Sequence, residues 1–370
     1  MIKNEAIVFD AAIIGLGPAG ATCARLLSKC LHVFVLDGAI QKGTKPCGGL
    51  LAPDAQKALA ILGLTLPKEV LVSPQIFSVK TIDMNKKGIR YYPRSYINLD
   101  RHRFDHWLIS LIPDRAVLAE GICRAIQKEN GVYHVTYQQA DGSRKEIFAR
   151  MLIGADGANS IVRRTLFKEY KFQSYVAVQQ WFHGVQIDPF YSCVFENNAN
   201  SLCSWSICKD DTFIFGGAYK AKNCRETFEN QKQALTAFGF SFCEPLKTEG
   251  CMVIRPRLFE RFCLGGENAF MIGEAAGFIS PSSLEGISWA LTSATHLAKV
   301  LLENGEDDKH RAYRRETRGL RTKLFFKALK CPFLYHPILR SLVMASAVQS
   351  IDMINHADEA MRISSNGKER

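Results

Sequence analysis

Ala6-Ile7-Val8-Phe9-Asp10-Ala11-Ala12-Ile13-Ile14-Gly15-Leu16-Gly17-Pro18-Ala19-Gly20 is the stretch that decides the fold. Its apolar run is too short to favour a helix and rich in β-branched residues, so it reads as a buried strand. A tight turn from Gly15 to Gly20 follows, then a helical pattern from Ala21 to Lys29. Gly15 allows the turn, Gly17 lets backbone amides approach a pyrophosphate, and Gly20 lets helix and sheet pack closely. With Pro18 and Ala19 they form the mouth of a helix whose N-terminal amides and dipole favour phosphate charge. A second strand, Leu31 to Leu36, ends at Asp37. An acid there accepts hydrogen bonds from ribose hydroxyls and repels a 2′-phosphate. Strand, glycine turn, helix, strand and acid together specify a dinucleotide site. The turn alone does not distinguish NAD from FAD.

Outward from this site, the chain has the length of two domains sharing a cleft, at 370 residues with nearly half of them apolar. It contains no apolar run long enough to span a bilayer. Its N-terminus enters the first strand without a signal-peptide core, so a cytoplasmic location is expected. The twelve cysteines are scattered and none forms Cys-x-x-Cys, so neither a disulfide framework nor a metal site is expected. The net charge of +11 is concentrated late in the chain. From Arg311 to Arg340 nine arginines and lysines face one acid, Glu316. No nucleic-acid module accompanies them. Two roles stay open for this segment: adhesion to an anionic membrane, with Leu324-Phe325-Phe326 and Phe333-Leu334 beside the charges, or a solvated basic helix over the core.

Further along, alternation predicts strands over 76–97 with a turn at Asn85-Lys86-Lys87-Gly88, and a hairpin over 122–139 turning at Glu129-Asn130-Gly131. A helix starts near Asp100, and a buried strand opens at Met151. Strands over 176–183, 191–195, 201–207 and 212–219 predict a second, antiparallel sheet. A long helix is expected from about Leu284 to Glu303, and the last sixty residues read as helical. The dinucleotide domain therefore spans 1–70, 98–170 and 250–305, a substrate domain spans 71–97 and 171–249, and a helical segment spans 306–370.

Two segments resemble the flavin motifs of the flavoproteins that include aromatic hydroxylases, halogenases and prenyl reductases. They are Gly154-Ala155-Asp156-Gly157-Ala158-Asn159, followed by Arg163-Arg164, and Ile272-Gly273-Glu274-Ala275-Ala276-Gly277, followed by Pro281 and Glu285-Gly286-Ile287. The second usually reads Gly-Asp; here the acid is one methylene longer. The resemblance implies FAD, held also by Arg101. It implies an α/β fold: a Rossmann-like FAD-binding domain of the glutathione reductase/p-hydroxybenzoate hydroxylase type, interleaved with an antiparallel-sheet substrate domain and followed by a helical segment. Asp156, Gly157, Gly273, Glu274, Gly277, Gly286 and Ile287 would contact the flavin half. Lys45-Pro46-Cys47-Gly48-Gly49 resembles the loop of the geranylgeranyl reductase family, which hydrogenates isoprenoid double bonds.

By that resemblance Cys47, Gly48 and Gly49 pass the flavin ring. Cys47 is either a proton donor to an alkene carbon or a small residue fitting a close approach. Family reductases often carry Tyr-x-Trp-x-Phe-Pro on a substrate-domain strand; Cys203-Ser204-Trp205-Ser206-Ile207-Cys208 keeps only the tryptophan. Trp181, Trp205 and Phe215 are the substrate-contact candidates, with sheet core the competing role. A prenyl lipid or other apolar small molecule is the implied substrate. NAD(P)H or a protein donor supplies electrons, because a second Gly-x-Gly-x-x-Gly and a redox cysteine pair are both missing. The alternatives are an oxygen-using monooxygenase or halogenase, and a flavin-binding resistance protein without turnover.

Overall fold

The computed structural model describes residues 7–38, 45–184, 190–197, 201–259, 261–303 and 308–351. Val8–Ile14 lies at the centre of the first sheet, parallel to Val33–Asp37 on one side and Arg144–Gly154 on the other. Ala269–Met271 extends that parallel set beyond Arg144–Gly154, and Val117–Glu120 extends it beyond Val33–Asp37. The helix Pro18–Leu27 crosses between the first two strands, burying most of its length. The hairpin Ile122–Glu129/Val132–Gln138 turns at Asn130 and Gly131, both at positive φ, as that dipeptide predicts.

The second sheet runs Lys247–Ile254, Ser174–His183, Thr212–Tyr219, Ser201–Lys209, Tyr191–Phe195, Ile76–Asp83, Gly88–Asn98 and Leu50–Leu51. The four strands expected to form an antiparallel sheet do so, and Ile76–Asp83 joins them through a parallel pairing with Tyr191–Phe195. The expected boundary at 249/250 moves. Lys247–Ile254 is an edge strand of the second sheet, paired along Ser174–His183, and so runs across that boundary.

The larger core packs helices Pro18–Leu27 and Ile287–Leu302 against the first sheet. A second core, Phe182, Phe213, Phe215 and Phe228 among its members, lies between the second sheet and the helix Cys224–Leu235. The long helix begins at Ile287 rather than Leu284, because Leu284 sits at φ +55 and cannot propagate a right-handed helix. The basic segment folds as helices Lys309–Glu316, Arg318–Leu329, Cys331–Tyr335 and Pro337–Ala345; the remainder of the expected helical tail, 352–370, lies outside the described residues. Among the described residues no helix is long and apolar enough to cross a membrane.

Candidate functional site

Where the strand ends of the first sheet meet the second sheet, a cavity of about 800 Å³ opens. Its first wall is backbone. Gly15 sits at φ +100, and a side chain there would meet the Ala155 carbonyl oxygen at 2.6 Å. Gly20 lies against the same turn: a Cβ would come 1.9 Å from the Gly15 oxygen. Gly20 is therefore a packing residue and does not line the cavity, whereas Gly15, Gly17, Pro18 and Ala19 do. Beside Gly17 there is open space, with nothing within 4 Å of a would-be Cβ. Gly17 caps the helix without a side chain and Pro18 opens it, so the first-turn amides face the cavity unclaimed by a capping side chain. Asp37 accepts a hydrogen bond from the Leu16 amide at 2.6 Å, so this acid also holds the turn.

The Asp156-Gly157 turn forms the adjoining surface. One Asp156 oxygen accepts from the amides of Ile161 (2.6 Å) and Val162 (3.3 Å). The other, Oδ1, is buried without a partner. Burial raises the Asp156 carboxyl above the usual range, against the pull of those hydrogen bonds. Gly157, at φ +70, has open space where a Cβ would stand. Arg163 is buried behind this turn and donates to the carbonyls of Ala158 and Ala275, tying it to the Gly273–Ala276 turn.

In that second turn, Gly273 donates its amide to Ser293 Oγ at 2.9 Å and packs on Ala19, behind the cavity surface. Glu274 lines the cavity, but its longer arm is engaged: Oε2 pairs with Lys45 and Oε1 accepts from the Ile254 amide at 2.9 Å. Here the extra methylene lets the acid strap the Lys45–Gly49 loop to the edge of the second sheet. Gly277 is absent from the lining; it packs under Phe172, 2.8 Å from a would-be Cβ. Gly286 and Ile287 line the cavity at the start of the long helix, where Glu285 accepts from Ser288 N and Oγ at 2.8 and 2.7 Å. Burial raises the Glu285 carboxyl as well.

Cys47, Gly48 and Gly49 form a third side. Gly49, at φ +60, would place a Cβ 2.3 Å from the Leu99 oxygen and 2.7 Å from Lys209 Nζ. Lys209 is buried, and its amine donates to the carbonyls of Gly49 and Leu99 and to Asn98 Oδ1. Burial brings the Lys209 amine down to about 7, with Cys47, Asp100 and Asp210 opposing and Arg101 assisting. Cys47 is half-buried on the cavity surface. Arg101 is gripped by Asp105 through three bonds of 2.9, 3.1 and 3.3 Å, and its charge is felt at Cys47.

Opposite stands the second sheet. Trp205 lies across Gly216, where a Cβ would clash with the indole at 2.7 Å, and its Nε1 donates to Gln179 at 3.2 Å. Trp205 and Ile207 line the cavity together, as alternation along one strand requires. Tyr96 and Tyr191 meet edge-to-face at 5.7 Å beside them; burial raises both phenols, Tyr96 to about 12. Two expected substrate contacts do not line this cavity. Phe215 faces away, fully buried between Phe228 and Phe242, because it is one residue out of phase with Gly216. Trp181 shares the Trp205 face but sits farther along its strand, bound to Glu249 at 2.9 Å and outside the lining. Sequence reasoning missed Tyr96, Tyr191 and Lys209, and quoted Glu285 only as part of a motif. Lys209 carried a signal, since it continues the Trp205–Ile207 alternation as a charge at the end of a buried strand.

The cavity fits a dinucleotide: a side-chain-free cradle at Gly17, unclaimed helix amides beside it and an orphaned carboxylate oxygen at Asp156. Comparison with known proteins agrees. The FAD binding domain family matches residues 120–325. Protein CbrA of Escherichia coli strain K12 is 50% identical over 351 residues, covering 94% of this chain and 99% of that protein. A geranylgeranyl bacteriochlorophyll reductase-like protein of Thermoplasma acidophilum superposes with a TM-score of 0.75 at 18% identity, over 91% of this chain and 90% of that one. The flavin-dependent brominase Bmp2 gives 0.66 at 18% identity, over 92% and 93%. At such identities the two structures show a shared fold and leave the reaction open.

Proposed function

Since the chain belongs to the family of flavoproteins that share the FAD binding domain, we propose that it is a reductase of the geranylgeranyl type. Its substrate is then a carbon–carbon double bond of a prenyl or other apolar lipid. One observation carries this reading. Besides the glycine wall, the cavity is lined by Tyr96, Tyr191, Trp205, Ile207, Val253 and Ile279. An alkene chain offers no hydrogen bond, so only an apolar, shape-defining chamber can hold it and keep water away.

In this reading Gly15, Gly17, Pro18, Ala19 and Asp37 hold the ADP half of FAD. Asp156, Gly157, Gly286, Ile287, Arg101 and the Cys47–Gly49 loop face the flavin half. FAD, when bound and reduced, supplies hydride. The chain's own task is to place one alkene carbon for hydride and to hold a proton for its neighbour. Cys47 Sγ is the group for that proton, and Arg101, fixed by Asp105, orients the thiol. Lys209 fixes the loop from behind. With a single Gly-x-Gly-x-x-Gly turn in the chain, NAD(P)H as a transient visitor or a protein donor brings the electrons.

Anaerobic turnover with dithionite and a polyprenyl phosphate tests the proposal. A product gaining one H₂ per bond is expected. Strict dependence on oxygen, with a hydroxylated or halogenated product, would replace it with the monooxygenase or halogenase reading. Retained FAD with no product under either condition would leave a flavin-binding protein without turnover.

A further inference from the structure

The helices that follow the FAD-binding domain carry a surface that the cavity chemistry does not use. Nine of the twenty large hydrophobic side chains exposed among the described residues fall between Phe325 and Ile351. Over 317–351 the chain has six arginines and lysines and no acid. Of the six, Arg340 is buried against Asp83 at 2.9 Å and Arg321 and Lys327 are half-buried, which leaves Arg318, Lys323 and Lys330 exposed.

The helix Arg318–Leu329 is rooted by Leu320 and Leu324, both buried. Its opposite face presents Phe325 and Leu329, one turn apart, and Phe326 beside them; Phe326 is 58% exposed. Lys323 and Lys330, seven residues apart, form an exposed basic row along the same face. Phe333, in the next helix, is 52% exposed, and Phe259, 82% exposed, packs its ring 6.0 Å from that of Phe325. An apolar strip bordered by cations is complementary to one class of surface, a bilayer with anionic headgroups. A protein partner of the same shape would need an acidic, apolar groove; a second copy of this chain would bring its own cations against these.

The same helix also bounds the cavity. Lys327, on its inward side, lies over the Trp289 ring at 5.6 Å and lines the cavity together with Glu285. We propose that the face built by Phe325, Phe326, Leu329 and Phe333, with Lys323 and Lys330, docks on an anionic membrane and brings the cavity to the lipid surface. Docking does not depend on the alkene chemistry, so it stands or falls separately from the proposed reaction.

The test is co-sedimentation of the FAD-loaded full chain with phosphatidylcholine vesicles, with and without phosphatidylglycerol. Binding is expected only when phosphatidylglycerol is present, and it should weaken with salt. Lys323→Ser with Lys330→Ser should lower the affinity about tenfold. Phe326→Ser with Phe333→Ser should abolish retention while flavin absorbance and circular dichroism stay unchanged. Absence of binding to phosphatidylglycerol vesicles, or equal binding by the variants, would overturn the proposal. So would a dimer in sedimentation velocity that the phenylalanine variant dissolves, which would assign the face to a second copy of the chain.

Discussion

One wall of the cavity is made of backbone and the other of side chains. Along Gly15–Ala19 and Asp156–Gly157, shape comes from positive φ angles, missing Cβ atoms and helix-end amides. Along Trp205, Ile207, Tyr96 and Tyr191, shape comes from rings and branched chains held over a sheet. A backbone wall tolerates few sequences, because a single Cβ fills it. A side-chain wall can be recut to suit another substrate while the sheet beneath stays as it is. In the proposed reading the first wall binds the cofactor and the second chooses the substrate.

The sharpest way to break this division lies within the glycine turn. Gly20→Ala drives a methyl into the Gly15 carbonyl and is expected to cost about 3 kcal/mol of stability, with loss of FAD. Gly17→Ala meets nothing in the protein, so stability should change by no more than about 0.5 kcal/mol. Its FAD affinity should nevertheless fall tenfold or more, by the order of ~1.4 kcal/mol that such a factor represents. Thermal melts and flavin-fluorescence titration check both; equal stability losses would show that the cradle is a packing feature.

Next in size is Cys47→Ser, which should retain FAD and slow turnover by about a hundredfold, the scale of a lost general acid. Unchanged turnover would leave Cys47 as a small residue beside the flavin.

Lys209→Met probes the seam between the walls. It leaves the Gly49 and Leu99 carbonyls without their donor, at a cost of about 2 kcal/mol near neutral pH. The pH dependence has a definite sign. Folded, the amine takes its proton only below about 7; unfolded, it does so below its ordinary 10.5. Between those values the unfolded chain binds more protons, so wild-type stability rises with pH across that window and is level below it. The variant lacks this slope, and wild type should gain on it as pH is raised from 7 towards 10. A constant difference in melting temperature across that range would contradict a buried, neutralised lysine.

The smallest effect is expected for Glu274→Gln, which weakens the strap to Lys45 while keeping a neutral acceptor for the Ile254 amide. Lys45 is 38% exposed, so solvent screens the pair and the loss should stay near 1 kcal/mol or below. FAD affinity should drop only a few-fold in the same titration.

The same division explains what could be read from sequence. Gly15, Gly17 and Gly20 announce a backbone shape at fixed spacing, and Asp37 and Asp156 stand at strand ends that periodicity locates. The strands over 191–195 and 212–219 were legible from alternation, and so was the turn at Asn130-Gly131. What alternation could not supply was how far along a strand the cavity reaches. Trp181 has the face of Trp205 but the wrong height, and Phe215 has the wrong phase. The parallel seam at Tyr191–Phe195 was hidden for the same reason: pairing direction depends on a partner 112 residues away, as in Tyr191 beside Val79. Glu274 shows a third limit. Its type and place marked it as a cofactor ligand, whereas its length lets it reach Lys45, a contact across 229 positions of sequence.

Mass spectrometry of prenyl lipids from cells with and without the protein tests the proposed reaction most directly. Cells with the protein should contain a prenyl lipid heavier by one H₂ per bond reduced, absent when Gly17→Ala replaces the wild-type chain. Identical lipid profiles in all three strains would contradict the reductase account.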